Sequence, residues 1–366
     1  MHDWFQGYGG AERVVDVMRA RLFAADNAPD IFTFHAAREL LPDDLVARIK
    51  RESRLSQVPG IRQRGHHPGR WRYLLPYMPR YFRKIDLAAY DVVVASSWAC
   101  AVQARPRDDA AYICYCYTPL RYVWLPEVEG RRTQGLRRLA LQAFAHRLRR
   151  MDLEASTRPD VYVAISEAVR ARIKRFYGRD AVVVHPPVDV EEFDPTAEKR
   201  PGHFLWVHRL VPYKRPEVVV EAFRELPYKL TMVGIGPMEA RIRRALPANV
   251  KLRGWVSRHE LVSLNREAVG FIHVGEEDFG ISMVEALASG TPVIALSRGG
   301  ALDIVRDGQD GILIERADIA SLRAAVRRVA EAQWDFDLLH QRALDFSSER
   351  FVERLGNVVR TALSTR

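Results

Sequence analysis

The sequence predicts an α/β protein of two domains, and three features support this prediction. Short apolar segments alternate with segments at helical spacing, and Gly, Pro or small polar residues separate them. The length of 366 residues suits two domains of about 150 residues or somewhat more. A hydrophobic content of 48% beside 28% charged residues supplies a sizeable core for each domain and is typical of a globular protein.

Composition and charge narrow the classes of protein that fit. No run of about 18 apolar residues occurs, so no membrane-spanning helix is predicted. Cys100, Cys114 and Cys116 lack metal-ligand spacing, and we expect reduced core residues in a cytoplasmic protein. The net charge of +10 favours anionic partners such as nucleotide diphosphates, lipid phosphates or an acidic membrane surface. Without a nucleic-acid motif no nucleic-acid partner is expected, although the charge alone would also fit a nucleic-acid binder.

The first half of the chain reads as strands alternating with helices. A loop over residues 2–12 contains Gly9-Gly10 and leads into a helix predicted from Ala11 to about Phe23. Further along, strands are predicted at residues 31–35, 90–97, 112–116 and 161–166, and a helix at residues 167–177. Several strands end in small polar residues, and the carboxyl ends of strands line the ligand crevice of open α/β sheets.

Two basic segments of this half admit two interpretations. Residues 61–84 interleave Arg with aromatic residues, and residues 131–150 place Leu and Phe near helical spacing among many arginines. Such surfaces can bind an anionic membrane peripherally through its lipid phosphates. A helix that packs its apolar face on its own domain produces the same pattern, so both alternatives stay open.

The second half begins after a polar segment that reads as a linker, with the domain boundary between residues 197 and 198. A strand predicted at residues 204–207 is followed by Arg209 and Lys214, which bracket a short turn. Two cations beyond the carboxyl end of a strand can neutralise a diphosphate. Strands predicted at residues 230–233 and 250–256 follow.

The stretch from Phe271 to Leu296 reads as strand, loop, helix, turn and strand. Glu277 and Glu285 stand on the two sides of the junction between the loop and the helix. The amides of residues 280–282 are unpaired donors at the positive end of that helix, which suits a phosphate or a developing anion. The two carboxylates could each hold hydroxyls of a sugar or a ribose; a surface loop with two solvated acids is the alternative.

The E-x7-E pattern with Phe279-Gly280 inside it resembles the signature of family four of the glycosyltransferases, and the Gly9-Gly10 loop matches the family as well. These enzymes retain anomeric configuration and use nucleotide sugars. The resemblance spans Asp3 to about Phe351 and implies the GT-B fold, in which two Rossmann-like domains face each other across a cleft. It implies an acceptor-binding domain at residues 1–197, a nucleotide-sugar-binding domain at residues 198–345, and a helix at residues 346–366 that crosses back to the first domain.

The resemblance also assigns roles to residues. The expected catalytic residues are Arg209 and Lys214, which clamp the donor pyrophosphate, and Glu277, which positions the sugar hydroxyls. The expected donor-binding residues are Gly9, Gly10, Gly234, Gly236, Phe279, Gly280, Ile281, Ser282 and Glu285, the last of which holds the ribose. The expected acceptor-binding residues are Tyr117, Thr118 and Arg121. No metal and no cofactor are expected, because the nucleotide sugar is a substrate.

Within the family, the chain resembles bacterial mannosyltransferases of polysaccharide assembly. This implies transfer of mannose from GDP-mannose to a glycan or to a polyprenyl-diphosphate-linked acceptor. The implied location is the cytoplasm, either in solution or bound peripherally to the inner membrane.

Three departures from the family favour an alternative function. Trp98 and Tyr117 stand where the family has His, and the apolar strand that the family carries before His2 is missing. We therefore expect the open reading frame to begin several residues upstream. The alternative is a catalytically impaired GT-B protein that binds nucleotide or lipid phosphate without transferring a sugar.

Overall fold

The computed structural model describes residues 1–23, 27–61, 70–124, 136–196 and 199–366, with the backbone alone for residues 71, 72, 122 and 136–144. The chain divides into two units, residues 1–185 with 351–366 and residues 186–350. The second unit begins ahead of the boundary predicted at residue 198. The reason lies in Val188, whose amide donates to the carbonyl of Phe346 at 3.0 Å and so joins this segment to the second unit.

The first unit is built on parallel strands. One pair is β1 (Ile31–Thr33) with β2 (Ile49–Glu52), and a four-stranded sheet runs in the order β3 (Val92–Ser97), β4 (Ala111–Cys116), β5 (Val161–Ala164) and β6 (Ala181–Val183). Each lies within a segment predicted as a strand or overlaps one, apart from β2 and β6. Strand β4 is buried along its whole length, as a strand covered on both faces must be.

The helices of this part are α1 (Gly10–Val17), α2 (Asp43–Ala47), α3 (Met78–Arg83), α4 (Arg121–Trp124), α5 (Leu136–Ser156) and α6 (Glu167–Tyr177). The prediction for α6 is confirmed at both ends. Its N-cap Ser166 accepts a hydrogen bond from the amide of Val169 at 3.2 Å, and Gly178 stops the helix at a φ of +68°. The predicted helix up to Phe23 is shorter, because α1 gives way to a π-helical turn over Met18–Leu22.

Asp3 holds the chain that leaves β3. Its buried carboxylate accepts four backbone N–H groups, those of residues 98–101, at 2.6 to 2.8 Å. The hydroxyl of Ser97 donates a fifth bond at 3.2 Å. One side chain therefore satisfies the donors of a whole buried loop, which would otherwise lack partners.

His2 occupies the position between β1 and β3. It makes parallel bridges to Thr33 and to Ser96, and the amino terminus of Met1 donates to the carbonyl of Val94 at 2.8 Å. Beside it lies a cavity of about 770 Å³, lined by β1, β3 and residues 356–363. The additional strand expected upstream of His2 stays a prediction.

The second unit contains one six-stranded parallel sheet. Its strands are β7 (His203–Val207), β8 (Lys229–Val233), β9 (Val250–Leu252), β10 (Gly270–His273), β11 (Val293–Leu296) and β12 (Gly311–Ile314). Their order is β12-β11-β10-β7-β8-β9, so the strand order reverses between β7 and β10. In open α/β sheets, ligands bind beyond the carboxyl ends of the strands at such a switch point.

Helices cover this sheet, and its core is made of large side chains. The helices are α7 (Pro216–Phe223), α8 (Glu239–Ala245), α9 (Arg258–Glu267), α10 (Ile281–Ala288), α11 (Ala301–Ile304), α12 (Ile319–Glu331), α13 (Phe336–Leu344) and α14 (Ser348–Ser364). Most of α14 belongs to the first unit. Phe204, Trp206 and Phe223 are fully buried, and each contributes about 1.5–3 kcal/mol of hydrophobic stabilisation. This core holds the ends of β7 and β10 in fixed positions.

All three cysteines lie among the described residues; they are buried and form no disulfide, as the sequence predicts. Residues 62–69, 125–135 and 197–198 lie outside the described residues. They include parts of the two basic segments and of the predicted linker. The membrane-surface interpretation of those segments stays a prediction. Among the helices that the structure does describe, none is both long enough and apolar enough to cross a membrane.

Candidate active site

The loops after β7 and β10 meet at the switch point of the second sheet. Lys214 lies on the first loop and Glu277 on the second, and the two side chains form an ion pair. The Lys214 side chain is 3% exposed and that of Glu277 is 27% exposed. A buried ammonium is costly unless a counter-charge lies beside it, so Glu277 stabilises the cation in this position.

The backbone after Lys214 is strained. Arg215 has a φ of +53° and a ψ of +43°, and among the described residues no other non-glycine residue has a positive φ. Left-handed backbone costs a residue with a Cβ about 1–2 kcal/mol. Such strain persists where the surrounding structure imposes it, and it clusters at functional sites. Here it lets the chain turn directly from Lys214 into α7.

The loop that carries Glu277 ends at the N-terminus of α10, where the sequence predicts it. Gly280 is the N-cap residue, with a φ of +119°, and a Cβ there would lie 2.3 Å from Cε of Met283. Within the described part of the chain, no side chain caps this helix. The backbone amide of Gly300 donates to the carbonyl of Glu277 at 2.9 Å and holds the loop from the other side. The helix thus presents amides beside the Lys214–Glu277 pair.

Two histidines lie behind this ion pair. His208 follows β7 and His273 ends β10, and their ring centroids are 4.5 Å apart. The Nε2 atom of His273 lies 3.5 Å from Oε2 of Glu277. Burial, aided by the charge of Lys214, holds the pKa of both imidazoles well below the usual range. Both rings are therefore neutral at pH 7.

Arg209 stands beyond β7 with an exposed side chain, and no ion pair or hydrogen bond joins it to another described side chain. Gly234 and Gly236, two predicted donor-binding residues, pack closely against the backbone on either side of Arg209. A Cβ on Gly234 would lie 1.9 Å from the carbonyl oxygen of His208, and one on Gly236 would lie 2.5 Å from that of Leu210. The backbone segments that follow β7 and β8 approach each other so closely that both positions require glycine.

Glu285 lies inside α10 and is buried. Arg258 of α9 donates to its Oε1 atom at 2.5 Å and to Oε2 of Glu192 at 2.6 Å. The guanidinium also stacks over the ring of Phe193, with Cζ 4.9 Å from the centroid. Arg258 therefore fixes the direction in which the carboxylate of Glu285 points.

The other predicted donor-binding residues of this unit differ in burial. Ile281 and Ser282 begin α10 and are half-buried. Phe279 is buried, and its ring centroid lies 5.7 Å from that of Phe346. Its side chain anchors the loop in the core, so only its backbone faces the site.

Three candidates of the first unit, Gly9, Gly10 and Tyr117, lie at the glycine loop. Gly9 and Gly10 are exposed, and the amide of Gly9 donates to Oε2 of Glu12 at 3.1 Å. Burial raises the pKa of Glu12 to about 7. The hydroxyl of Tyr117 donates to the carbonyl of Ala11 at 3.1 Å. Tyr117 therefore lies directly beneath the loop that precedes α1.

Tyr117 is oriented toward the interior of the unit. Its hydroxyl also lies 3.0 Å from Oγ of Ser96, and its ring meets that of Trp98 edge-on at 5.4 Å. The two positions where the family has His are thus in contact. Thr118 is buried and Arg121, which starts α4, is half-buried. The acceptor-binding roles of Tyr117, Thr118 and Arg121 stay predictions.

Sequence reasoning missed Arg258, Glu192 and His273. A histidine at the carboxyl end of the strand before the Glu277 loop is a signal that could have been used for His273. Nothing in the local sequence marks Arg258, because its partners come from other elements.

Sequence comparison matches two families to the two halves of the chain. Residues 8–192 match the model of "Glycosyltransferase Family 4", and residues 188–343 match that of "Glycosyl transferases group 1". Together these matches cover the candidate residues of both units.

Curated relatives match over part of their length. The D-inositol 3-phosphate glycosyltransferase of Acidothermus cellulolyticus is 31% identical over 218 residues, which cover 50% of this chain and 48% of that protein. The uncharacterized glycosyltransferase MJ1178 of Methanocaldococcus jannaschii is 26% identical over 178 residues, 47% of this chain and 50% of that protein. The chain spans about half the length of these relatives.

Solved structures match over nearly the whole chain. Anabaena Alr3699/HepE in complex with UDP superposes with a TM-score of 0.71 at 16% identity and 98% coverage of both chains. The apo form of the lipopolysaccharide outer core galactosyltransferase WaaB gives 0.67 at 18% identity and 99% coverage of both chains. At these identities the likeness shows the fold alone.

Proposed function

The chain belongs to glycosyltransferase family 4, and we propose that it transfers a sugar from a nucleoside diphosphate donor to an acceptor hydroxyl with retained anomeric configuration. The α/β fold of the GT-B type, predicted from the sequence, is confirmed. One observation carries the proposal. The buried ammonium of Lys214 and the carboxylate of Glu277 meet beside the N-terminus of α10, at the point where the strand order reverses.

In the proposed reaction, the bond between the anomeric carbon and the β-phosphate oxygen breaks and the nucleoside diphosphate departs. Lys214, Arg209 and the amides of residues 280–282 stabilise the negative charge that develops on the leaving phosphate. The acceptor oxygen bonds to the anomeric carbon on the face that the diphosphate leaves. Its proton passes to an oxygen of the departing phosphate, so no protein base is required.

Glu277 would change partner during donor binding. Before the donor binds, it neutralises Lys214. The diphosphate supplies a stronger counter-charge, and the carboxylate is then released to accept hydrogen bonds from the sugar hydroxyls. Such an exchange leaves neither the cation nor the carboxylate without a partner at any stage, which keeps the site pre-organised for the diphosphate.

We propose GDP-mannose as the donor, on the resemblance of the sequence to bacterial mannosyltransferases. The acceptor would be a glycan or a polyprenyl-diphosphate-linked sugar in polysaccharide synthesis. The first unit would bind this acceptor around Tyr117, Thr118 and Arg121, and the basic segments of that unit would reach lipid phosphate at the cytoplasmic face of the inner membrane.

A panel of nucleotide sugars tests this function. We expect GDP-mannose to raise the melting temperature and to be consumed, with the product anomer identified by NMR as that of the donor. Binding of a nucleotide sugar without hydrolysis or transfer to any acceptor would instead support the catalytically impaired alternative. Salt-dependent binding of RNA or DNA without nucleotide-sugar binding would contradict both.

Replacing Arg258 by Met should raise the donor KM by about tenfold while kcat changes little. The reason is that Arg258 directs the carboxylate of Glu285, which holds the ribose in the proposed complex, and loss of one charged hydrogen bond costs about 1.5–3 kcal/mol. Steady-state kinetics with varied donor measure this split. Arg253→Met is the matched control, since Arg253 pairs with Glu260 on the surface. An equal fall in kcat would place Glu285 in the chemical step instead.

A further inference from the structure

We propose that His208, His273 and Glu277 form a binding site for a divalent transition-metal ion of the Zn²⁺ class. One ligand atom from each of the three side chains lies within 4.8 Å of the other two. All three residues stand at the carboxyl ends of neighbouring strands, β7 and β10, or on the loop after β10. The parallel register of these strands brings the groups together from distant parts of the sequence.

The buried ring of His273 supports a metal site independently of the clustering of the three side chains. Its side chain is 1% exposed, and among the described residues neither ring nitrogen has a hydrogen-bond partner. A buried polar group without a partner costs about 1–3 kcal/mol, so a ring in this state needs an explanation. The Nε2 atom points toward Glu277, 3.5 Å from its Oε2 atom. A metal ion between these two atoms would be bound by Nε2 of His273 and by Oε2 of Glu277.

The ring of His208 is held in place as a ligand must be. It meets Trp206 edge-on at 4.9 Å and His273 at 4.5 Å, and its Nε2 atom lies 3.4 Å from the carbonyl of Ile272. Rigid packing reduces the entropy lost when an ion orders its ligands, and contacts that orient an imidazole raise metal affinity. Glu277 lies on a half-exposed loop and has more freedom to move than the two rings.

The ligand types select the ion. Two imidazole nitrogens and one carboxylate oxygen suit Zn²⁺, Co²⁺, Ni²⁺ or Cu²⁺, whereas Mg²⁺ and Ca²⁺ prefer oxygen ligands. Metal–ligand distances of about 2.0–2.2 Å require the three atoms to approach one another by roughly 1 Å. Rotation of the Glu277 side chain, together with small shifts of the two imidazole rings, supplies this movement. A solvent molecule would complete a four-coordinate shell.

Lys214 competes with the ion for Glu277. One carboxylate cannot neutralise an ammonium and a divalent ion at the same time, and two cations this close repel each other strongly. Metal binding therefore displaces Lys214 from its ion pair. Given the proposed function, on which this consequence alone rests, the ion would block the diphosphate clamp and inhibit transfer.

Metal binding is tested on the full chain without a polyhistidine tag, after treatment with a chelator. Calorimetry with Zn²⁺ should show one site, and Co²⁺ should give the visible absorption of a four-coordinate nitrogen and oxygen shell. Mg²⁺ should give no heat. His273→Phe and Glu277→Gln should each weaken Zn²⁺ binding by more than about 100-fold, because loss of a ligand exceeds the effect of an outer contact. His259→Ala, at an exposed histidine, is the matched control and should bind Zn²⁺ normally.

Lys214→Met adds a test that misfolding cannot mimic. Removing the competing ammonium should tighten Zn²⁺ binding by about tenfold or more. Equal affinity in the unaltered chain and in the folded Glu277→Gln variant would overturn the proposal, and so would weaker binding in Lys214→Met. Zn²⁺ binding in a protein that transfers no sugar would uphold the metal site and contradict the proposed function.

Discussion

Lys214→Met is expected to lower kcat for sugar transfer by about 10²–10³-fold while leaving the second unit folded. Met keeps the buried methylene stem of the side chain, which packs where only 3% of it is exposed. The ammonium is lost, and with it the cation that faces the leaving diphosphate in the proposed reaction. Because this charge develops mainly in the transition state, kcat should fall more than donor affinity.

Steady-state kinetics with the preferred donor measure this effect, with far-UV circular dichroism as the check on folding. The matched control is Lys229→Met, at an exposed lysine that begins β8 and so lies at the amino ends of the strands, away from the site at their carboxyl ends. It should keep full activity. A Lys214→Met enzyme with a near-normal turnover number, or a change confined to KM, would remove Lys214 from the chemical step.

Asp3→Ala is expected to destabilise the first unit by about 4 kcal/mol or more. The carboxylate accepts four buried backbone N–H groups of residues 98–101, and each donor left without a partner costs about 1–3 kcal/mol. Water cannot replace the carboxylate, because Asp3 is fully buried. Asp3→Asn should also destabilise, since its NH₂ group faces donors rather than acceptors.

Urea unfolding followed by tryptophan fluorescence measures this loss, since Trp4 and Trp98 flank the Asp3 loop. The expected result is an earlier transition for the first unit with that of the second unit unchanged. Asp109→Ala is the control, because the Asp109 side chain is 75% exposed and forms an ion pair with the surface residue Arg107. A small and equal effect of both variants would show that the loop does not depend on Asp3.

Local signals allowed the sequence to predict individual elements. Ser166 before the helix and Gly178 after it bound α6 at both predicted ends. The apolar runs that became β7 and β10, and the glycine at the start of α10, were equally readable. Boundaries failed where tertiary contacts decided them. Val188 illustrates this, because its pairing with the chain near Phe346 moves the start of the second unit ahead of the polar linker.

In the candidate site, too, some residues could be predicted from the sequence and others could not. Arg209, Lys214, Glu277 and Glu285 were predicted from their types and spacing, together with the family resemblance. Their partners were not. Neither the contact of His208 with His273 nor the bridge from Arg258 to Glu285 has a local pattern, because each joins residues from separate elements.

By itself the amino-acid sequence determined which segments become strands and helices, since the repeats of apolar residues and the capping residues act over a few positions. It also determined the acid and base types available at each strand end. Only the tertiary structure decided that a lysine after β7 and a glutamate after β10 neutralise each other, with two neutral imidazoles behind them. The physical reason is that strand order, which makes β7 and β10 neighbours, follows from packing across the whole sheet and leaves no periodic trace in the chain.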